Sequence, residues 1–311
     1  MRLPAALLVA TALAAQTAPP ATETKPEGPA GLPVYQNTGK AIKLPFACTD
    51  DDIHFAGLSC TPDEPCATYL ELTGWEQVGD KLFTAGNIHT TETTLYSVFL
   101  SSADKGKTWR EAHDRIRGAG LDQLQFLDFQ HGWVGGSVLY PLPRDPFVLA
   151  TADGGKSWSK YEIFGEARGG AILEMRFSSP KDGAVVLDRG QSEEGARYEM
   201  YETPTGGSSW LIREAGEKPM NIKRSAMANP DKRLRADANT KAFQLEVRQA
   251  GKWSSLSGFA IELDACKPAP PPDREPPPPP ESEAAKPTSA PYVEELRLPP
   301  PGRRKPPAIT R

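Results

Sequence analysis

From about residue 44 to residue 266, short runs of apolar and β-branched side chains alternate with turns rich in glycine and hydroxyl residues. Such runs, bounded by turn formers, predict strands, and nowhere is the apolar spacing persuasively that of a helix. The runs recur in triplets: residues 68–72, 81–86 and 94–100, then 124–129, 132–136 and 147–150, then 172–177, 183–187 and 198–201. With one more strand after each triplet, the pattern predicts four-stranded units. The available length accommodates four or five of them, and the apolar stretch 53–58 is the expected source of a strand closing the last one.

A repeated turn follows each triplet. Its copies are Ser102-Ala103-Asp104-Lys105-Gly106-Lys107-Thr108-Trp109, Thr151-Ala152-Asp153-Gly154-Gly155-Lys156-Ser157-Trp158 and Thr203-Pro204-Thr205-Gly206-Gly207-Ser208-Ser209-Trp210. A degenerate fourth copy is expected at Gly251-Lys252-Trp253, which makes the tryptophan spacings 49, 52 and 43 residues, near the blade length of propeller repeats. Gly106, Gly155 and Gly207 suit a positive-φ turn position, and the hydroxyl and Asp side chains can accept hydrogen bonds from turn amides. Trp109, Trp158 and Trp210 supply large apolar anchors. The motif explains a hairpin rather than a reaction.

The ends differ from the middle. Residues 1–15 hold an arginine, an apolar run of about a dozen residues and small residues for cleavage, which predicts an export signal too short to span a bilayer. Residues 16–43, rich in Pro, Thr, Ala and Gly, predict a disordered lead-in, and 267–311, with three proline runs and Arg303-Arg304-Lys305, a disordered polyproline tail, read first as a spacer and otherwise as a ligand segment for a partner or a basic end for an anionic envelope surface. The folded domain is therefore expected over 44–266. Four cysteines suit an oxidising compartment and permit three pairings. Cys60 with Cys66, around a turn-forming insert, and Cys48 with Cys266, joining the ends of the repeat region, is the favoured set. Neither cysteines nor histidines have zinc-ligand spacing, so no metal and no cofactor are predicted. Asp50-Asp51-Asp52 is expected to be solvated surface. A net charge of −4 gives no general nucleic-acid binder.

Three turns of this form at this spacing resemble the Asp-box (BNR) repeats of the sialidase-like propeller superfamily. The second repeat, Phe126-Leu127-Asp128-Phe129-Gln130-His131-Gly132-Trp133-Val134-Gly135 followed by residues 151–158, is most similar to the photosystem II stability and assembly factor family. The resemblance spans roughly residues 66–212. It implies an all-β, propeller-like fold and a non-enzymatic, protein-binding role. Thr205 stands where the third box should have Asp, the chain is short for seven blades, and the tail is foreign to that family, so a photosynthetic role is not carried over.

An enzymatic reading through the sialidases implies an arginine cluster, a Tyr nucleophile assisted by Glu, an acid/base Asp and an F/Y-R-I-P string. Asp114-Arg115-Ile116-Arg117 is the nearest string and lacks the proline. No G-x-S-x-G, phosphate-binding loop or H-E-x-x-H occurs. The expectation is a non-catalytic, exported scaffold, periplasmic or secreted, that binds or helps assemble another envelope protein. A carbohydrate-binding or glycosidase-like propeller, with a glycan as ligand, is the alternative. Arg115, Arg117, Tyr140, Arg144, Arg189 and Arg197, in connections between strands, are the expected binding residues, forming a basic patch for an acidic peptide or carboxylate.

Overall fold

The computed structural model describes residues 33–190, 195–222 and 231–268. The leading segment forms β1 (Tyr35–Gln36), β2 (Ile42–Lys43) and α1 (Asp50–Ala56). The first repeat folds as β3 (Tyr69–Val78), β4 (Lys81–His89), β5 (Thr94–Ser102) and β6 (Thr108–Glu111). The second is β7 (Ala119–Phe126), β8 (Gly132–Val138), β9 (Arg144–Thr151) and β10 (Ser159–Glu162). The third is β11 (Ala171–Phe177), β12 (Gly183–Asp188), β13 (Tyr198–Thr203) and β14 (Leu211–Gly216), and the last is β15 (Lys232–Asp237), β16 (Ala242–Gln249) and β17 (Lys252–Glu262). Four sheets result, ordered β1-β6-β5-β4-β3, β10-β9-β8-β7, β11-β12-β13-β14 and β15-β16-β17-β2, here sheets 1 to 4. The fold is nearly all β, a propeller-like array of three four-stranded sheets and one widened to five strands by β1.

The side-chain period of two puts successive residues of a strand on opposite faces, so a strand between two sheets is apolar throughout. In sheet 1, Leu82, Val98 and Leu100 pack with Phe243, Leu245, Phe259 and Ile261 of sheet 4, while Phe83, Ala85 and Phe99 pack with Leu121, Phe147 and Leu149 of sheet 2. In sheet 2, Trp133 and Val148 pack with Ile172, Phe177, Val185 and Leu187 of sheet 3. Three apolar cores thus join four sheets, in the spatial order 4, 1, 2, 3, and no core among the described residues lies between sheets 3 and 4. Each repeated turn sends its tryptophan into the core shared with the preceding sheet. Trp109 meets Phe259 at 4.6 Å between ring centroids, Trp158 meets Phe99 at 4.8 Å, and Trp210 joins the core of sheets 2 and 3.

Local hydrogen bonds shape the turns. Gly155 N–H donates to Thr151 Oγ1 at 2.9 Å, while Asp153 accepts from Lys156 N at 2.9 Å and from Ser157 N at 3.0 Å and Oγ at 2.6 Å. Ser102 and Asp104 repeat the pattern with Gly106 and Thr108, and in the third copy Thr205 Oγ1 accepts from Ser209 N at 2.9 Å. Gly155 has φ +79°, and a Cβ there would lie 2.6 Å from the Phe83 ring, so both backbone and packing exclude other residues.

The leading segment departs from the expectation of disorder to residue 43. Tyr35 pairs with Trp109 and Ile42 with Ile261, so the segment edges sheets 1 and 4, with Tyr35 and Ile42 buried. Two-residue strands are too short to leave an alternation in sequence. The closing strand is β2, parallel to β17, and not residues 53–58, which belong largely to α1. That helix is set by a capping box between Thr49 and Asp52 and ends at Gly57 in the left-handed region. Seven residues are too few to show a helical period. Gly251-Lys252-Trp253 is not a fourth copy of the repeated turn. Gln249 pairs with Lys252, and Ala250 (φ 48°) and Gly251 (φ 79°) make a two-residue hairpin between the second and third strands of sheet 4.

Disulfides join Cys48 to Cys266 and Cys60 to Cys66, with Cα–Cα distances of 4.8 and 5.3 Å. Backbone bonds of 2.9 Å between Cys66 and Cys266, in both directions, bring the two bridges side by side. The 218-residue separation of the first bridge gives a chain-entropy contribution of about 5 kcal/mol. No helix among the described residues is long and apolar enough to cross a membrane. The expected export signal and nearly all of the expected proline-rich tail lie outside the described residues.

Candidate binding site

The meander directs the repeated turns to one end of the sheets and the links between sheets to the other. At that second end lie α1, residues 112–118, 139–143, 163–170, 189–190 and 195–197, and Arg144 at the head of β9. All six expected binding residues are there, in two groups, and acidic neighbours accompany each arginine.

The first group is built on α1. Asp52 is 2% exposed, so it is not solvated surface as the acidic run suggests. Its carboxylate caps the helix, accepts from Tyr96 Oη at 2.6 Å and lies 3.0 Å from Arg117 Nη2. Burial pushes the Asp52 pKa up, but the bonds from Tyr96 and Thr49 and the Arg117 charge outweigh it and hold it below the ordinary value. Burial and then Asp52 push Tyr96 up to about 12. Arg117 also lies over the Phe55 ring at 4.6 Å, and Tyr140 meets that ring edge-on at 5.7 Å. Arg115 is bidentate to Glu111, at 3.0 and 2.6 Å. Here the basic charge is neutralised within the fold.

The second group surrounds the link between sheets 2 and 3. Arg197 is bidentate to Asp188, at 3.1 and 3.0 Å, and Arg144 pairs with Asp145 at 3.4 Å. Arg189 Nε lies 3.8 Å from Glu199, whose side chain is 7% exposed, and Arg189 Nη1 is buried with no hydrogen-bond partner among the described residues. A third arginine, Arg168, approaches the same carboxylate at 3.7 Å and donates to Tyr201 Oη at 3.3 Å. Tyr201 Oη in turn donates to Glu199 at 2.8 Å. The Phe164 ring supports both guanidiniums, at 4.9 and 5.4 Å. Two cations share one carboxylate at distances longer than a direct hydrogen bond, which leaves donors for a second anion.

Arg168, Glu199, Tyr201 and Phe164 were not among the expected residues. One signal was present in sequence: Arg168-Gly169 enters β11 as Arg117-Gly118 enters β7, and each arginine lies over a Phe beside a buried acid. Burial and then the Glu199 bond push the Tyr201 hydroxyl up to about 12. It is held as a neutral donor, the opposite of the lowered pKa that activates a nucleophile.

No protein-family model matches the chain, and no curated protein matches it in sequence. Among solved structures it is similar to YCF48 bound to a D1 peptide, at 18% identity and TM-score 0.36, covering 61% of this chain and 56% of that one. YCF48 from Cyanidioschyzon merolae matches at 18% and 0.33, covering 61% and 57%. An alpha-L-arabinanase from Penicillium chrysogenum, complexed with arabinobiose, matches at 14% and 0.32, covering 63% and 62%. The chain therefore spans less than two thirds of the length of each, and the likeness is one of fold.

Proposed function

We propose that this protein is an exported, non-catalytic scaffold that binds or helps assemble another envelope protein, and that the Arg168–Arg189–Glu199 cluster receives a carboxylate of that partner. The observation that carries the reading is the sharing of one buried carboxylate by two guanidiniums, with Arg189 Nη1 left without a partner among the described residues. A buried donor without an acceptor costs about 1–3 kcal/mol, which an incoming carboxylate recovers. Loops on a rigid sheet scaffold suit recognition. Titrating the full chain with an acidic peptide, Ac-Asp-Phe-Glu-NH2, tests the site. Arg168→Glu should weaken binding at least about tenfold, and Glu199→Gln, which removes the internal competitor, should strengthen it. Equal affinity in all three proteins would remove the cluster from the reading.

One observation favours a carbohydrate-acting alternative. Asp122 on β7 sits where the register jumps from Leu121 to Gln123. Burial and then Glu71 on the neighbouring inner strand push its carboxyl above the ordinary value. A carboxyl whose pKa is raised beside a second carboxyl suits acid/base glycoside chemistry. Hydrolysis of aryl glycosides by the wild type, abolished by Asp122→Asn, would establish that alternative over the scaffold.

A further inference from the structure

The stack of sheets ends at the face of sheet 3 turned away from sheet 2. Register to the first residue of each repeated turn makes three sites equivalent. Leu82 pairs with Ser102, Gly132 with Thr151 and Gly183 with Thr203, so Phe83, Trp133 and Ala184 occupy one position in successive sheets. Phe99, Val148 and Met200 occupy another by the same pairing. In sheet 1, Phe83 and Phe99 form the socket for Trp158, with centroids 6.2 and 4.8 Å away. In sheet 2, Trp133 and Val148 lie in the core that receives Trp210. In sheet 3 the corresponding Ala184 and Met200 line a groove of about 830 Å³. Its other walls include Leu211 and Ile212, 67% and 57% exposed.

The open groove among the described residues has a cause in the repeat itself. The next sheet in the chain is sheet 4, whose hairpin at Ala250-Gly251 replaces the repeated turn and whose fourth strand is β2. Sheet 4 therefore presents no turn tryptophan to sheet 3. The small Ala184 where sheets 1 and 2 have Phe83 and Trp133 deepens the socket.

We infer that this groove is a second docking surface, which takes a tryptophan carried by a basic β-turn of another protein. The socket continues the two established ones by one repeat, which fixes the aromatic. Charge fixes the flanks: Asp182, Glu202 and Glu214 border the groove against Arg176 and Arg213, and Arg213 Nε already lies 3.9 Å from Glu202. Two of the three turns that fill the other sockets have matching chemistry, with Lys107 and Arg110 beside Trp109 and Lys156 and Lys160 beside Trp158, while the turn of Trp210 carries only Ser208 and Ser209 there. The surface is distinct from the arginine cluster, and its occupancy stands or falls separately.

The chain labelled with ¹³C at its methionine methyls provides the test, with Ac-Lys-Trp-Lys-NH2 as the probe. Met200 lines the groove, whereas Met175 is buried in the core of sheets 2 and 3 and serves as the internal control. The expected result is a saturable shift of Met200 with Met175 unmoved, and none with Ac-Lys-Gly-Lys-NH2. Glu202→Lys with Glu214→Lys, on exposed positions, should weaken the probe about tenfold. No Met200 shift up to the solubility of the probe, an equal shift from Ac-Glu-Trp-Glu-NH2, or full affinity in the double lysine variant would overturn the inference.

Discussion

At the scale of single residues, the repeated turn works by exchanging backbone donors for side-chain acceptors. Burial raises the Asp153 pKa, but hydrogen bonds from Ser157, Thr151 and Lys156 outweigh it and leave it lowered; Asp104 is lowered in the same way through Thr108 and Ser102. A carboxylate whose pKa is depressed by folding contributes stability above its unfolded value of ~3.9, and that stability is lost as pH falls through the folded value. The melting temperature should therefore drop below about pH 4, and Asp153→Asn should flatten that part of the profile. In the third copy Thr205 takes a single backbone bond, from Ser209. Thr205→Asp restores the charged acceptor and should raise the melting temperature by about 2–4 °C, as about 1 kcal/mol does in a domain of this size. The tryptophans act through packing. Trp158 sits among Phe83, Phe99 and Phe126 with its indole N–H unbonded among the described residues. Trp158→Ala should cost about 3–5 kcal/mol, measured by denaturant unfolding, and Trp158→Phe much less. An unchanged unfolding midpoint in the alanine variant would contradict its place in the core.

At the scale of elements, what sequence reveals follows from the range of the interactions. The turns and the strands around them were legible because Thr151, Asp153, Gly155 and Ser157 bond within four residues of one another. Strand existence was legible because β4, β5 and β9 are apolar on both faces. The partners of the arginines were not. Arg117 reaches Asp52 across 65 residues of chain and Arg168 reaches Glu199 across 31, and no local pattern encodes such a meeting. For the same reason Asp52, in an acidic run, was expected in water, while the fold makes it a buried helix cap. Trp253 misled for a different reason: a Gly-Lys-Trp string fits a two-residue hairpin as well as it fits the repeated turn. That hairpin holds Ala250 at φ 48°, a conformation that costs a Cβ-bearing residue about 1–2 kcal/mol. Ala250→Gly should raise stability by about 0.5–1 kcal/mol, read from the unfolding midpoint, and a loss would show that the turn differs from the one described.

At the scale of the molecule, the leading strands and the Cys48–Cys266 bridge hold sheet 4 against sheet 1, the junction where the two ends of the repeat region meet. The tryptophan-bearing turns make the three cores in turn, and the stack stops where sheet 4 lacks such a turn. One end of the array gathers the links and their arginines. Most of those charges are consumed internally, and among the described residues at this end the Arg168–Arg189–Glu199 cluster is where two cations share one carboxylate. The central claim is that this end holds a protein partner. The direct measurement is capture of proteins by the full chain from an extract of the cells that make it, with the bound species identified by mass spectrometry, for the wild type and for Arg168→Glu. One discrete protein should be retained by the wild type and lost from the variant, while the variant still unfolds cooperatively. Retention of glycans alone, or of the same protein by both forms, would contradict it.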